Sequence, residues 1–342
     1  MSAPAYDAVL LVSFGGPEGP DDVMPFLRRV VQGRGVPDER LAAVAEHYHH
    51  FGGVSPINAQ CRELLAALRP VLDEAGITLP LYWGNRNWTP LLADTVAQMR
   101  ADGVRRAIAF VTSPYGSWSS CRQYLDDIEA ARAAVGDGAP VIDKIRHYHD
   151  HPGYVYPHAD AVRRALAQLS DVDDVRLAFT AHSVPSTMEA TSGPDGGRYS
   201  AMLTETAGLV AATAAPGRGW DLVWQSRSGS PHVPWLAPDI NDHLKMLAGD
   251  GARGVVVSPI GFISDHLEVV WDLDTEAAQT AEELGLAYVR AATPGTDPRF
   301  VAMVRDLILE RLEPATPRQR LGTIPVWDAC PVGCCRRPTH GG

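Results

Sequence analysis

The strongest constraint on the fold is an alternation: short apolar segments of strand length end in Gly, Ser or Pro turns, and each is followed by a longer segment with apolar residues at helical spacing. Residues 7–14 form a buried strand by length and composition, closed by Gly15-Gly16-Pro17. Helical spacing follows over 21–31, 38–48 and 56–75, then a strand over 79–83, a helix over 90–102 closed by Gly103, and a strand over 107–112 ended by Ser113-Pro114. The second half keeps the rhythm, with strands over 176–180, 222–225 and 254–257 and helices over 198–215 and 239–248. The pattern predicts an α/β chain whose parallel sheets carry helices on both faces.

The two halves resemble each other. Tyr82-Trp83-Gly84-Asn85-Arg86 matches Val223-Trp224-Gln225-Ser226-Arg227, Asp102-Gly103 matches Asp250-Gly251, and Ser113-Pro114-Tyr115-Gly116 matches Ser258-Pro259-Ile260-Gly261. Residues 12–17 likewise match 179–185, which makes Phe14 and His182 equivalent. A length of 342 residues is about two domains at ~150 residues each. The expected organisation is two similar Rossmann-like lobes, 1–150 and 151–313, then a tail over 314–342, with a cleft between the carboxyl ends of both sheets.

Charge and hydropathy narrow the partners. Thirty Lys and Arg against 41 Asp and Glu leave a formal charge of −11, which disfavours nonspecific binding to nucleic acid or to an anionic membrane. The apolar runs at 8–14 and 254–263 fall short of the ~18 residues of a membrane-spanning helix. The N-terminal Met-Ser-Ala-Pro-Ala-Tyr-Asp has neither a secretory nor a transit pattern, so the chain is expected in the cytoplasm. No phosphate-binding Gly-rich loop accompanies the strands, which argues against nucleotide use.

Three groups of residues can carry chemistry. His182 ends a strand and is expected to aim its ring at the cleft. Asp265, Glu268 and Asp272 fall at helical spacing on a helix expected to start after Gly261; like charges on one helical face repel by about 0.2–0.5 kcal/mol per pair, so a cation path or proton relay would explain them. The alternative is a solvated acidic face. Of five cysteines, Cys330, Cys334 and Cys335 crowd the end of the chain, and Cys121 can add a fourth thiolate. Chemistry alone leaves zinc, an iron–sulfur cluster or free thiols open. Cys61 reads as a bystander, and His47, His49, His50 and the run His147-Tyr-His-Asp-His151 read as surface residues.

Taken in order, Phe14-Gly-Gly-Pro17, Phe51-Gly-Gly-Val-Ser-Pro56, Thr180-Ala-His-Ser-Val-Pro185, Trp224-Gln-Ser-Arg-Ser228, Pro234-Trp-Leu-Ala-Pro-Asp239 and the stretch from Pro259 to Asp274 resemble the ferrochelatase family over almost the whole chain. Residues 85–88, 119–124 and the Cys-bearing tail are most similar to its actinobacterial members, which act on coproporphyrin III. The resemblance implies a two-lobed enzyme that inserts Fe2+ into a porphyrin held in the interlobe cleft. His182 matches the catalytic histidine and Glu268 its carboxylate partner, and both would meet the metal. A neutral imidazole would accept a pyrrole proton near neutral pH, and the pocket would hold the macrocycle bent.

Ser55, Tyr48 and Tyr124 match positions that touch the porphyrin. Phe14 stands where Bacillus-type members carry an iron-ligating tyrosine, so here it reads as a stacking wall without axial coordination. Arginines expected in some members are His47 and Val31 here, leaving Arg28, Arg29, Arg34 and Arg62 as substitutes for binding propionates. The resemblance also implies a [2Fe–2S] cluster on Cys121, Cys330, Cys334 and Cys335, and neighbouring heme-pathway enzymes as partners. Other readings are a protoporphyrin IX ferrochelatase, a cobalt chelatase, or a tetrapyrrole-binding protein without catalysis.

Overall fold

The computed structural model describes residues 6–33, 35–228 and 232–337. Its frame is two parallel four-stranded sheets. In the first, β1 (Ala8–Ser13), β2 (Leu81–Asn85), β3 (Arg106–Val111) and β4 (Val141–Lys144) lie in the order β2-β1-β3-β4. In the second, β5 (Val175–His182), β6 (Asp221–Gln225), β7 (Gly254–Ser258) and β8 (Ala287–Arg290) lie in the order β6-β5-β7-β8, the same topology. These are the two Rossmann-like lobes expected from the sequence. The central strands β1 and β7 are buried at every position, as strands covered by helices on both faces must be.

Helices α1 (Val23–Val30), α2 (Asp38–His50) and α3 (Ile57–Glu74) lie between β1 and β2, α4 (Leu92–Ala101) precedes β3, and α5 (Gln123–Val135) precedes β4. Helix α6 (Pro152–Gln168) crosses to the second sheet, where α7 (Ser186–Glu189) and α8 (Arg198–Ala214) follow β5 and α9 (Ile240–Gly249) follows β6. Between β7 and β8 run α10 (Leu267–Val269), a π-helical stretch (Val270–Ala277) and α11 (Ala278–Glu283), and α12 (Pro298–Leu312) packs against both α3 and α6.

Several expectations shift. Strand β2 begins two residues later than the apolar pattern indicated, because Pro80, which has no N–H to donate, only accepts at the sheet entrance, from Val9 N at 2.9 Å. The short edge strands β4 and β8 carry polar residues and escape pattern reading. His147, His149, Asp150 and His151 are buried, correcting their surface reading. This run bridges the sheets and is roofed by α8 and the tail: His149 Nε2 lies 2.9 Å from Glu205 Oε2, and Arg320 Nε donates to Asp150 at 2.7 Å.

The internal repeat is real but out of phase with the sequence match. Asn85 N donates to Pro90 O at 2.7 Å as Trp224 N donates to Pro238 O at 3.0 Å, so Asn85, not Trp83, is the counterpart of Trp224. Ser13 pairs with Asn85 and Ala181 with Trp224, which leaves Phe14 and His182 at equivalent exits from the two central strands.

One apolar core runs through both lobes. It joins Leu64 and Leu68 of α3, Phe110 of β3, Tyr148, Tyr154 and Val162 beside or on α6, Phe179 of β5 and Phe300 of α12. At its centre the hydroxyls of Tyr115 and Tyr154 both donate to the Ile260 carbonyl at 2.7 Å, fixing the loop that leaves β7. Next in that loop, Gly261 touches β5 so closely that an added Cβ would lie 2.7 Å from Ala181 Cβ and 2.8 Å from its Cα. Gly261→Ala is therefore expected to force the loop off β5 and destabilise the protein by about 1–3 kcal/mol, read as a lowered Tm in a thermal melt.

Candidate active site

His182 ends β5, and its position is set by the turn that follows. Its Nδ1 meets the Ser183 carbonyl, Tyr199 Oη donates to the His182 carbonyl at 3.0 Å, and Ser183 Oγ donates to Leu236 O at 2.9 Å. A backbone carbonyl at Nδ1 requires the proton there, which leaves Nε2 as the working nitrogen. Nε2 lies 3.6 Å from Glu268 Oε1 on α10, and both side chains are partly open to the cleft. Burial opposes the charged ring, yet the Glu268 carboxylate outweighs it and lifts the imidazole to about 9. Burial likewise works against the Glu268 carboxylate, and His182 overcomes it and holds Glu268 below its ordinary value. At neutral pH the free site is an imidazolium–carboxylate pair, where the sequence reading expected a neutral ring. His266, half-buried nearby, is pushed down by desolvation and stays neutral.

The acidic face differs from its helical expectation. Asp265 precedes the helix, and Arg290 grips Asp265 at 3.0 Å and Asp274 at 2.6 Å. Thr293 Oγ1 donates to Asp265 as well, at 3.2 Å. Both aspartates are paired with one guanidinium, which takes Asp265 out of the acidic set expected to form a path. Asp272 is different: it is buried, accepts from Gln225 Nε2 at 3.2 Å and from Ser226 Oγ, and is raised to about 7 by burial and by Glu268. The i→i+5 bonding of the π stretch widens each turn, so Glu268, Asp272 and Glu276, four residues apart, come nearer to one line than on an α-helix.

The first lobe supplies the facing wall. Phe14, 36% exposed at the β1 exit, meets Phe26 edge-on at 6.3 Å, and Tyr48 packs on Phe26 at 5.8 Å. Burial, helped by Glu268, raises the Tyr48 phenol, which keeps it neutral and places it within electrostatic reach of the carboxylate. Tyr124 is buried at the start of α5, and Ser55 is buried against Gly16, whose added Cβ would lie 2.6 Å from Ser55 Cβ. Arg86 binds these together: its guanidinium lies 4.5 Å over Tyr124 and 5.6 Å over Phe14 and pairs with Asp127. Across the cleft mouth His47 stacks on Trp271 of the π stretch, 4.0 Å apart at 9°. Of the propionate candidates, Arg28 pairs with Asp38 at 2.7 Å and Arg62 with Glu18 at 2.6 Å. Arg29 is exposed with no partner among the described residues, and Arg34 lies outside them.

The tail cysteines do meet Cys121. Thiol contacts run in sequence from Cys121 to Cys330, Cys334 and Cys335, the last two sulfurs 3.6 Å apart, and Gly193 N donates to Cys335 Sγ at 3.2 Å. Cys121 and Cys335, at the ends, feel each other only through charge. Lys144 and Arg198 lend positive charge to the group. Three buried thiols and the half-buried Cys330, with an amide donor and two cations beside them, suit a thiolate-bound metal centre. Cys61 stands apart in α3, its thiol pushed up to about 11 by burial.

Comparison with known proteins decides the family: its model, Ferrochelatase, matches residues 6–312. The chain belongs to the ferrochelatase family. It is 56% identical to the coproporphyrin III ferrochelatase of Nocardia farcinica over 99% of both chains, and 54% identical to that of Mycobacteroides abscessus over 94% of this chain and 93% of the relative. Among solved structures it is similar to SirB of Bacillus subtilis, with a TM-score of 0.53 at 13% identity over 90% of this chain and 96% of that one, a likeness of fold.

Within this family frame, three side chains at the site escaped sequence reading. Arg86, Trp271 and Gln225 each stand inside a segment that carries the family resemblance, but only the packed structure gives them partners at the site. Charge is what the site controls. In Glu268→Gln, burial is opposed only by the Ser183 carbonyl and Asp272, so the His182 titration, followed by NMR, is expected to fall from about 9. In the parent protein the pair stabilises the fold most between the ordinary carboxylate range and pH about 6.5; the gain fades as pH rises through about 9 and His182 loses its proton, and it is lost in acid as Glu268 protonates.

Proposed function

We propose that this chain inserts Fe2+ into coproporphyrin III, with His182 and Glu268 acting on the porphyrin nitrogens and the metal. The observation that carries the reading is the His182–Glu268 pair at the carboxyl ends of the second sheet, facing an aromatic wall from the first, in a chain whose full-length relatives bear that activity in their names. The macrocycle lies between Phe14, Tyr48, Ser55 and Tyr124 on one side and His182 on the other. Phe14 stacks and leaves that face of the ring without an axial ligand.

Metallation releases two protons, one from each pyrrole N–H, as Fe2+ takes the four ring nitrogens. His182 Nε2 is the acceptor facing the ring, and it must first give up the proton that Glu268 holds on it. An approaching dication favours that loss by repelling imidazolium and drawing on the carboxylate. Asp272, poised at about 7 and near Glu268, passes the protons outward and adds negative charge where Fe2+ arrives. The apparent KM for Fe2+ is then expected to fall as pH rises through about 7 and Asp272 ionises; Asp272→Asn raises that KM severalfold and flattens its pH dependence, measured by steady-state kinetics. In parallel assays coproporphyrin III outpaces protoporphyrin IX, and equal or better turnover of protoporphyrin overturns the substrate assignment. His182→Ala abolishes turnover while retaining porphyrin binding.

The same reading assigns Cys121, Cys330, Cys334 and Cys335 as ligands of a [2Fe–2S] cluster, which supplies one-electron redox chemistry when bound. A lone tetrahedral zinc asks four sulfurs to sit about 3.8 Å from one another, given Zn–S bonds of about 2.3 Å. Among the described residues no three of these four sulfurs lie within 4.8 Å of one another, which tells against a single ion. Anaerobically purified protein is therefore expected to be coloured, with visible charge-transfer bands; a colourless, zinc-loaded protein overturns this assignment.

A further inference from the structure

The segment from Glu189 to Tyr199 lies between the thiol site and the end of β5 and touches both. On one side Gly193 and Cys335 exchange two hydrogen bonds, N–H to Sγ and N–H to O, each 3.2 Å, and Thr191 Oγ1 donates to Arg336 O at 3.1 Å. Arg198 lies under the tail: it donates to Pro325 O, its guanidinium is 4.3 Å over the Trp327 ring, and its charge reaches all four cysteine sulfurs. On the other side the next residue, Tyr199, donates to the His182 carbonyl at 3.0 Å. The segment is braced within itself, since Ser192 Oγ accepts from Tyr199 N at 3.1 Å and donates to Glu189 O at 2.8 Å, and Glu189 Oε1 accepts from Ser200 N at 3.1 Å. It has little room to yield, since a Cβ on Gly193 would lie 2.6 Å from Arg198 Cβ.

The tail above it is clasped along its length. Leu321 N donates to Asp150 O at 2.9 Å, Arg320 pairs with Asp150, and Glu205 Oε1 accepts from Thr323 N at 2.6 Å and Ile324 N at 3.1 Å. The chain thus runs from a clasped strap, through the thiols, into a stiff bracket that ends on the backbone of His182.

We infer that Arg198 and Tyr199 are positioning residues that make the placement of His182 depend on the tail being seated at the thiol site. Whatever the thiols bind, its loss frees Cys335 from Gly193 and relaxes Arg198, and Tyr199 carries the displacement to His182. The inference rests on the reading of His182 as the group that acts on the porphyrin.

The test compares full-length Cys335→Ser, Tyr199→Phe and the double variant with the parent protein, after a thermal melt shows each to be folded. The His182 ring resonance at fixed pH is expected to move in Cys335→Ser in the same direction as in Tyr199→Phe. With coproporphyrin III and Fe2+, each single variant loses kcat by ~10-fold, porphyrin affinity by fluorescence quenching changes by under ~2-fold, and the double variant also loses ~10-fold because both act through one contact. An unmoved resonance in folded Cys335→Ser, or losses that multiply to ~100-fold, overturns the inference. If Cys335→Ser does not fold, Arg198→Met takes its place, with Arg198→Lys expected to bring the resonance most of the way back to its parent position and a failure to do so counting against the relay. If the parent protein inserts no Fe2+, the functional reading fails, while the resonance comparison still decides whether the tail positions His182.

Discussion

A single backbone carbonyl, that of Ile260, holds the two lobes in register. Tyr115 reaches it from the loop after β3 and Tyr154 from α6, each at 2.7 Å and each buried. A buried hydroxyl without a partner would cost roughly 1–3 kcal/mol, so the two tyrosines are held to this one acceptor. The carbonyl belongs to the loop that carries Glu268 toward His182, and Gly261 presses that loop onto β5. The distance between the two groups of the site is therefore set by packing far from either of them.

Within that frame the electrostatics follow from competition between burial and pairing. Burial alone would leave His182 uncharged, as it does His266; a carboxylate 3.6 Å away reverses the outcome. The same burial, with Glu268 nearby, pushes Asp272 up to about 7, so a proton-poised group stands behind an ion pair. Asp265 and Asp274 are removed from this group by Arg290, whose guanidinium neutralises both. The acidity of the region thus divides into two carboxylates that titrate with the site and two that hold β8 against the helix.

Legibility in the sequence followed chemistry that is local. The central strands are readable because strands buried on both faces are continuous apolar runs, and the local pattern of β5 is enough to put His182 at a strand end. The edge strands β4 and β8 are not, since Asp143, Lys144 and Arg290 interrupt the apolar signal. The π stretch has no signature in the apolar pattern, and its Asp272 meets partners remote in sequence, Gln225 and Ser226, 47 and 46 residues away. The histidine run 147–151 looked solvated by composition, and only the roof of α8 and the tail made it core.

What the sequence determined by itself was the α/β alternation, the duplicated lobes, and the residue types at the strand exits, since periodicity and turn chemistry act over a few residues. What the tertiary structure decided was which of those residues share a charge, which carboxylates stay free, and that Cys121 lies beside a tail more than two hundred residues later. Those outcomes depend on dielectric and distance, and both are fixed only when segments remote in sequence are packed into one core.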